Sequence, residues 1–248
     1  MNKLLYAFCV FSLLLVGCKD DEEKSLPNNN QNVGSSAADF LKAETFSKVV
    51  MEIQYPSGYA LPAGSISGLE SFLLNYCNKP DGIEIITTEI PVAAAQTYSL
   101  DDVRGIESQY RTKFNTEGTL AFYIFVADGD YETNTQNSFT LGLAYKNTSI
   151  VVFGETIKSN SGGLGEPSEE RVTTALLEHE LGHLLGLVNV GSPMVDDHED
   201  DDHNGHCAVE SCLMYYTLNS VSAMGNLMGN LPTLDAQCEA DLRANGGK

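Results

Sequence analysis

The chain has 248 residues, 42% hydrophobic and 19% charged, enough apolar material for a substantial core and an ordinary globular composition. Its formal net charge is −20 and no Lys/Arg-rich block occurs, which tells against nucleic acid and anionic lipid as electrostatic partners. Charge alone says nothing about fold.

At the N-terminus, Lys3 precedes the apolar stretch Leu4 to Val16, which is too short to span a bilayer as a helix. Leu15-Val16-Gly17-Cys18 resembles the cleavage site of a bacterial lipoprotein signal. That resemblance implies a signal peptide over residues 1–17, a lipid anchor on Cys18 as the contact with the membrane, and an outer-membrane or cell-surface location. Lys19 to Glu23 resembles the surface-export signal of some Gram-negative lipoproteins and reads equally as the start of a solvated linker. Residues 18–43 are acidic, then rich in Asn, Gln, Gly and Ser, and are expected to be a flexible tether. No repeat or second linker follows, so residues 44–248 are expected to form one domain.

Within it the elements alternate. Val49 to Tyr55 reads as a strand, and Ile66 to Cys77 as a helix with Ile66, Leu69, Phe72, Leu73 and Tyr76 on one face. Ile83 to Ile90 is β-branched, and Leu100 to Phe114 places Val103, Ile106, Tyr110 and Phe114 at helical spacing. Leu120 to Ala127 and Ile150 to Phe153 are continuous apolar runs of strand length. Strands alternating with helices imply an α/β fold with a mostly parallel sheet. After a Gly-rich turn, Pro167 and acidic Glu169 and Glu170 open a helix expected to run through Leu187.

That helix carries His179-Glu180-Leu181-Gly182-His183. Residues four apart share a helical face, so both imidazoles can bind one metal ion while Glu180 stands within reach of a water the ion activates. Zinc lowers the pKa of such a water, and the glutamate can take its proton as it attacks a peptide carbonyl. A glycine inside a helix costs about 1 kcal/mol against alanine, so Gly182 implies a close neighbour.

Extended to Gly186, the segment resembles the start of the metzincin signature HExxHxxGxxH, a clan of zinc peptidases. The third histidine position holds Asn189, a poor zinc ligand. Downstream, His206-Cys207 through Cys212-Leu213-Met214 resembles the HCxxxxCxM segment of the archaemetzincins. The resemblance implies that residues 190–206 are an insertion that postpones the third ligand to His206, with His198 and His203 as alternatives, and that Met214 lies beneath the zinc. It further implies a twisted sheet, an active-site helix and a small C-terminal part with the Met-turn. Tyr216 stands where astacin-like and serralysin-like metzincins carry an oxyanion-stabilising tyrosine, and Phe139 to Phe153 where the clan's edge strand pairs with substrate. Archaemetzincins hold a second, structural zinc with further cysteines after the methionine, of which this chain has only Cys238.

Of six cysteines, Cys9 would leave with the signal and Cys18 would carry lipid. The remaining four allow three pairings; for an exported protein Cys207–Cys212 and Cys77–Cys238 are the expected disulfides, although three cysteines and a histidine could also hold zinc. Asp200, Asp202, Asn204 and Gly205 fit the opening of a calcium loop, but Ser211 stands where its closing glutamate belongs, so a solvated acidic loop is the favoured reading over Ca²⁺. The expected function is a monomeric zinc metallopeptidase acting on peptides or proteins, with Glu180 and Tyr216 catalytic and His179, His183 and His206 on the metal. The alternative is a catalytically weak or inactive binding lipoprotein on the same scaffold.

Overall fold

The computed structural model describes residues 26–135, 138–219 and 227–248. The expected signal peptide, Cys18 and the acidic run after it lie outside the described residues. Among those described, no helix is long and apolar enough to cross a membrane.

In chain order the elements are α1 (Ala37–Leu41), β1 (Phe46–Tyr55), α2 (Ala63–Tyr76), β2 (Ile83–Glu89), β3 (Thr97–Tyr98), α3 (Leu100–Tyr110) and β4 (Gly118–Ala127). They continue with β5 (Asp130–Tyr131), β6 (Gly142–Lys146), β7 (Ser149–Phe153), α4 (Gly154–Ser159), α5 (Glu169–Leu184), a 3₁₀ turn (Tyr216–Asn219) and α6 (Ala236–Ala244). The main sheet has the order β2-β1-β4-β7-β6. Its first three pairings are parallel, and β6 closes the far edge antiparallel to β7. The fold is therefore the mixed α/β architecture with a mostly parallel sheet that strand–helix alternation implied.

Side-chain alternation along β4 explains why the sheet is covered on both faces. Leu120, Phe122, Ile124 and Val126 join the core under α2 and α5, together with Val49, Met51 and Ile53 of β1. Tyr123, Phe125 and Ala127 face the opposite way, onto Val103 of α3, Tyr98 and Phe153. The second face carries buried charged groups that are paired with one another or with backbone. Arg111 donates to Glu107 at 2.7 Å, Lys146 reaches the same carboxylate at 2.7 Å, and Glu52 accepts the backbone N–H groups of Thr112 and Lys113.

Three expectations are corrected. The tether does not extend to residue 43, because packing begins by Asn29. The Asn29 side chain is buried and donates to the Ala121 carbonyl and to Thr148 Oγ1, Asn147 reaches back to the Asn28 carbonyl, and Phe40 and Leu41 of α1 are fully buried in the core. Asparagines read as linker residues are used here as side chains that satisfy backbone groups at the end of the sheet. Second, α3 stops at Tyr110, where the Arg111 side chain turns inward, and this leaves Phe114 outside the helix and 55% exposed. Third, α5 ends at Leu184, three residues short of the expected Leu187, because Gly186 at φ 76° cannot continue a right-handed helix.

Candidate metal centre

Helix α5 starts at Ser168, whose side chain accepts the Arg171 N–H, with Glu169 and Glu170 in the first turn. Its last turns are almost wholly buried, so His179 is fully buried and Glu180 is 2% exposed. Against Gly182 lies the Met214 side chain: a Cβ at that position would stand 2.3 Å from Sδ. The glycine thus lets Met214 press against the helix backbone between the two histidines in sequence.

The structure brings His206 to His179 and His183, and it brings neither His198 nor His203. One ligand atom from each of the three imidazoles lies within 4.8 Å of the others, and the ring centroids are 4.8, 5.4 and 5.1 Å apart. His179 Nε2 and His183 Nε2 are separated by 3.2 Å. Tetrahedral zinc with N–Zn bonds of about 2.0–2.1 Å sets neighbouring ligand nitrogens roughly 3.3 Å apart, so this pair already has the spacing of a shared ion. The tautomers agree. His179 Nδ1 donates to the Leu213 carbonyl at 2.7 Å and His206 Nδ1 to the Asn204 carbonyl at 3.2 Å, which leaves both Nε2 lone pairs free to point inward. Burial pushes His179 down to about 4, His183 well below its ordinary value, and His206 down, so all three rings are neutral ligands near neutral pH.

Glu180 is buried beside them and its pKa is raised to about 8 by desolvation, opposed by the hydrogen bond its Oε2 accepts from the Ala144 N–H at 2.7 Å. Ala144 belongs to β6, so the carboxylate is held between the helix and the sheet edge. The substrate-facing edge expected within Phe139 to Phe153 resolves into a hairpin whose outer strand is β6; β7 lies inside the sheet.

The third imidazole arrives by a different route. After α5 the chain reverses through Gly186 at φ 76°, then Val188 and Asn189 at φ 51° and 63°. A β-branched residue in that region is strained by about 1–3 kcal/mol, and burial of Val188 holds it there. Asn189, at the third-histidine position of the HExxHxxGxxH pattern, donates to Glu199 Oε2 at 3.2 Å, and Glu199 Oε1 accepts the Gly205 N–H at 2.8 Å. Glu199 also forms a backbone bridge with Cys207, and the Asp200 N–H donates to the His206 carbonyl at 2.8 Å. One carboxylate therefore fastens the insertion to the turn it leaves, with His206 next to the clasp. Sequence reading missed Glu199. Its signal was present only as one acid among many.

The other candidates have different occupations. His198 is 5% exposed, with Nε2 on Asp241 Oδ2 at 2.8 Å and Nδ1 on Cys207 Sγ at 3.3 Å. His203 pairs with Asp200 at 3.0 Å and stacks on Tyr216. Asp200 also accepts the Asp202 N–H at 2.9 Å, so its carboxylate is engaged within the loop.

The cysteine pairing expected from the sequence is not formed. Cys77 is buried away from the others, whereas Cys207, Cys212, Cys238 and the Asp235 carboxylate make a second group whose ligand atoms all lie within 4.8 Å of one another. Cys212 and Cys238 Sγ are 3.6 Å apart, unbonded. Sulfur accepts backbone N–H groups here, Val209 to Cys207 and Met214 to Cys212. Hydrogen bonds from Cys207 and then Cys238 pull the Cys212 thiol down, which favours a thiolate at the cluster's centre.

No family model matches the sequence, and no curated protein matches it. Among solved structures, the chain is similar to archaemetzincin from Methanopyrus kandleri, with TM-score 0.51 and 15% identity over 80% of this chain and 96% of that one. It also matches metalloproteinase-II from Bacteroides fragilis with TM-score 0.42 and 14% identity, covering 83% of this chain and 54% of that one. At these identities the first likeness speaks to the fold, which is archaemetzincin-like.

Proposed function

We propose that this chain is a zinc-dependent metallopeptidase that hydrolyses peptide bonds in peptides or proteins, anchored at the cell surface through a lipid on Cys18. The observation that carries the reading is the convergence of the His179, His183 and His206 ligand atoms within 4.8 Å, beside a buried Glu180 tied to the sheet edge. Three neutral imidazoles with one coordination position left open are the donor set of a catalytic rather than a structural zinc. Bound zinc supplies Lewis acidity, polarising the scissile carbonyl, making water acidic near neutrality and drawing Glu180 towards its ionised form.

The chain's own residues do the rest. Among the described residues the outer side of β6 faces no other strand, so an extended peptide can add to it antiparallel and lie across the histidines. Glu180 takes a proton from the attacking water at its carboxylate and passes it to the leaving amine. The Tyr216 phenol donates a hydrogen bond to the developing oxyanion. We read the Cys207, Cys212, Cys238 and Asp235 group as a second, structural metal position of the kind archaemetzincins have, with Asp235 in place of a missing cysteine. The binding-protein alternative drew its support from Asn189, and His206 fills the role that Asn189 cannot.

The test is cleavage of a quenched fluorogenic peptide mixture by the purified protein, with zinc counted by elemental analysis. Chelation should abolish cleavage and zinc should restore it. Glu180→Gln should retain zinc and lose cleavage by about 10³-fold, within the range for removal of a general base. A zinc-loaded parent that cleaves nothing would favour the binding-protein reading.

A further inference from the structure

We propose that His203 is a positioning residue for Tyr216: together with Asp200 it forms a flat platform against which the phenol ring is held, on the loop that carries His206. The inference rests on the peptidase reading above. The two rings lie face to face, with centroids 3.5 Å apart and planes inclined by 5°. The imidazole is itself fixed, because its Nδ1 donates to Asp200 Oδ2 at 3.0 Å, and a carboxylate on one ring nitrogen sets the plane of the ring.

The platform is joined to the third imidazole. His203 accepts the His206 N–H on its carbonyl at 3.1 Å, His203 N–H donates to the Asp200 carbonyl at 3.1 Å, and Asp200 N–H donates to the His206 carbonyl at 2.8 Å. Asp200 to His206 is thus one hydrogen-bonded turn that presents a ligand on one arm and a ring support on the other. Tyr216 opens a short 3₁₀ turn two residues beyond Met214, which packs under Gly182, so the same stretch of chain spans the floor of the site and the stacked tyrosine. Tyr215 lies tilted against the same ring, with centroids 4.8 Å apart, so His203 supplies its face-to-face support, and fixing the phenol before substrate arrives removes an entropic cost from the reaction.

The stack is not core packing. The His203 side chain is 39% exposed, so its removal leaves the hydrophobic core intact. The insertion thereby has a second task besides ligand delivery, one that the short signature of the clan, with no loop here, has no residues to perform.

The experiment is a double-mutant cycle on the zinc-loaded full chain, with His203→Ala, Tyr216→Phe and the pair, following kcat and KM for peptide cleavage and zinc content. His203→Ala should lower kcat by roughly tenfold with KM nearly unchanged and zinc retained. Tyr216→Phe should lower kcat by about a hundredfold, and His203→Ala should add nothing in that background. His203→Phe, which keeps a flat ring, should recover most of the rate. Should His203→Ala fail to fold, His203→Gln takes its place against His203→Phe. Equal losses in both backgrounds, no loss at all, or loss of zinc from the His203 variant overturns the proposal. In 3-fluorotyrosine-labelled protein, the ¹⁹F resonance that disappears in Tyr216→Phe should shift in His203→Ala. An unshifted resonance removes the stack, whereas a shifted resonance in a parent that cleaves nothing removes the peptidase reading and leaves the stack standing.

Discussion

The metal centre is assembled from two segments that hold their imidazoles by different means. On α5 the two histidines are placed by helical periodicity, with His179 fully buried and His183 half-buried, a backbone carbonyl on His179 and Met214 pressed against Gly182. The insertion over 190–206 has little apolar content and no regular element of its own. It holds His206 by single polar contacts, with the Glu199 clasp, the Asp200 turn and backbone pairing to residues 207 and 208. A helix makes two ligands robust to any one side-chain change, whereas a loop makes its ligand depend on a few particular side chains.

The largest expected effect exposes the cost of burying the helix histidines. In the metal-free protein His179 is depressed to about 4 by burial, so between pH 6.5 and about 4 the unfolded chain binds a proton that the folded chain does not. This residue therefore costs the apoprotein up to about 3 kcal/mol as pH drops through that window, while Glu180, raised to about 8, gains a proton in the folded state over the same range and opposes it. Urea denaturation of chelated Glu180→Gln, with and without His179→Ala, at pH 7.5 and pH 4.5 isolates the histidine's part. Equal pH dependence of the two would mean that His179 is not buried as described. Next, Glu199→Ala should weaken zinc binding by roughly 10–100-fold without unfolding the domain, since it releases Asn189 and Gly205 together. Competition with a chromophoric chelator reads the change, and unaltered affinity would show that backbone pairing alone holds the loop. The smallest effect belongs to the helix. Gly182→Ala gains about 1 kcal/mol of helix propensity but drives a methyl into Met214, for a net loss of about 1–2 kcal/mol in thermal unfolding. A stabilised variant would mean that Met214 moves aside freely.

The same contrast governs what could be read in advance. Alternation identified β1, an unbroken apolar run β4, helical spacing α2 and start signals α5, because burial and helix initiation leave local marks in the sequence. The spacing of His179, Glu180 and His183 was legible for the same reason. His206 was found by its neighbours Cys207, Cys212 and Met214, and no rule of spacing within the loop separates it from His198 or His203. What separates them is tertiary: His198 is claimed by Asp241 from α6, 43 residues later, and His203 by the Tyr216 ring. The packing of Asn29 was equally hidden, because an asparagine that satisfies the Ala121 carbonyl across 92 residues has the same composition as one in a linker. Cysteine proximity in sequence pointed to a Cys207–Cys212 bond, yet the group that forms takes in Asp235 and Cys238 from the start of α6.

The most direct test of the account compares the parent with His206→Ala and His198→Ala, measuring zinc per chain and peptide cleavage on the same samples. The account predicts that His206→Ala loses one zinc and all cleavage, while His198→Ala still cleaves. Cleavage by His206→Ala at the parent rate would contradict it, because the third imidazole would then belong to another residue.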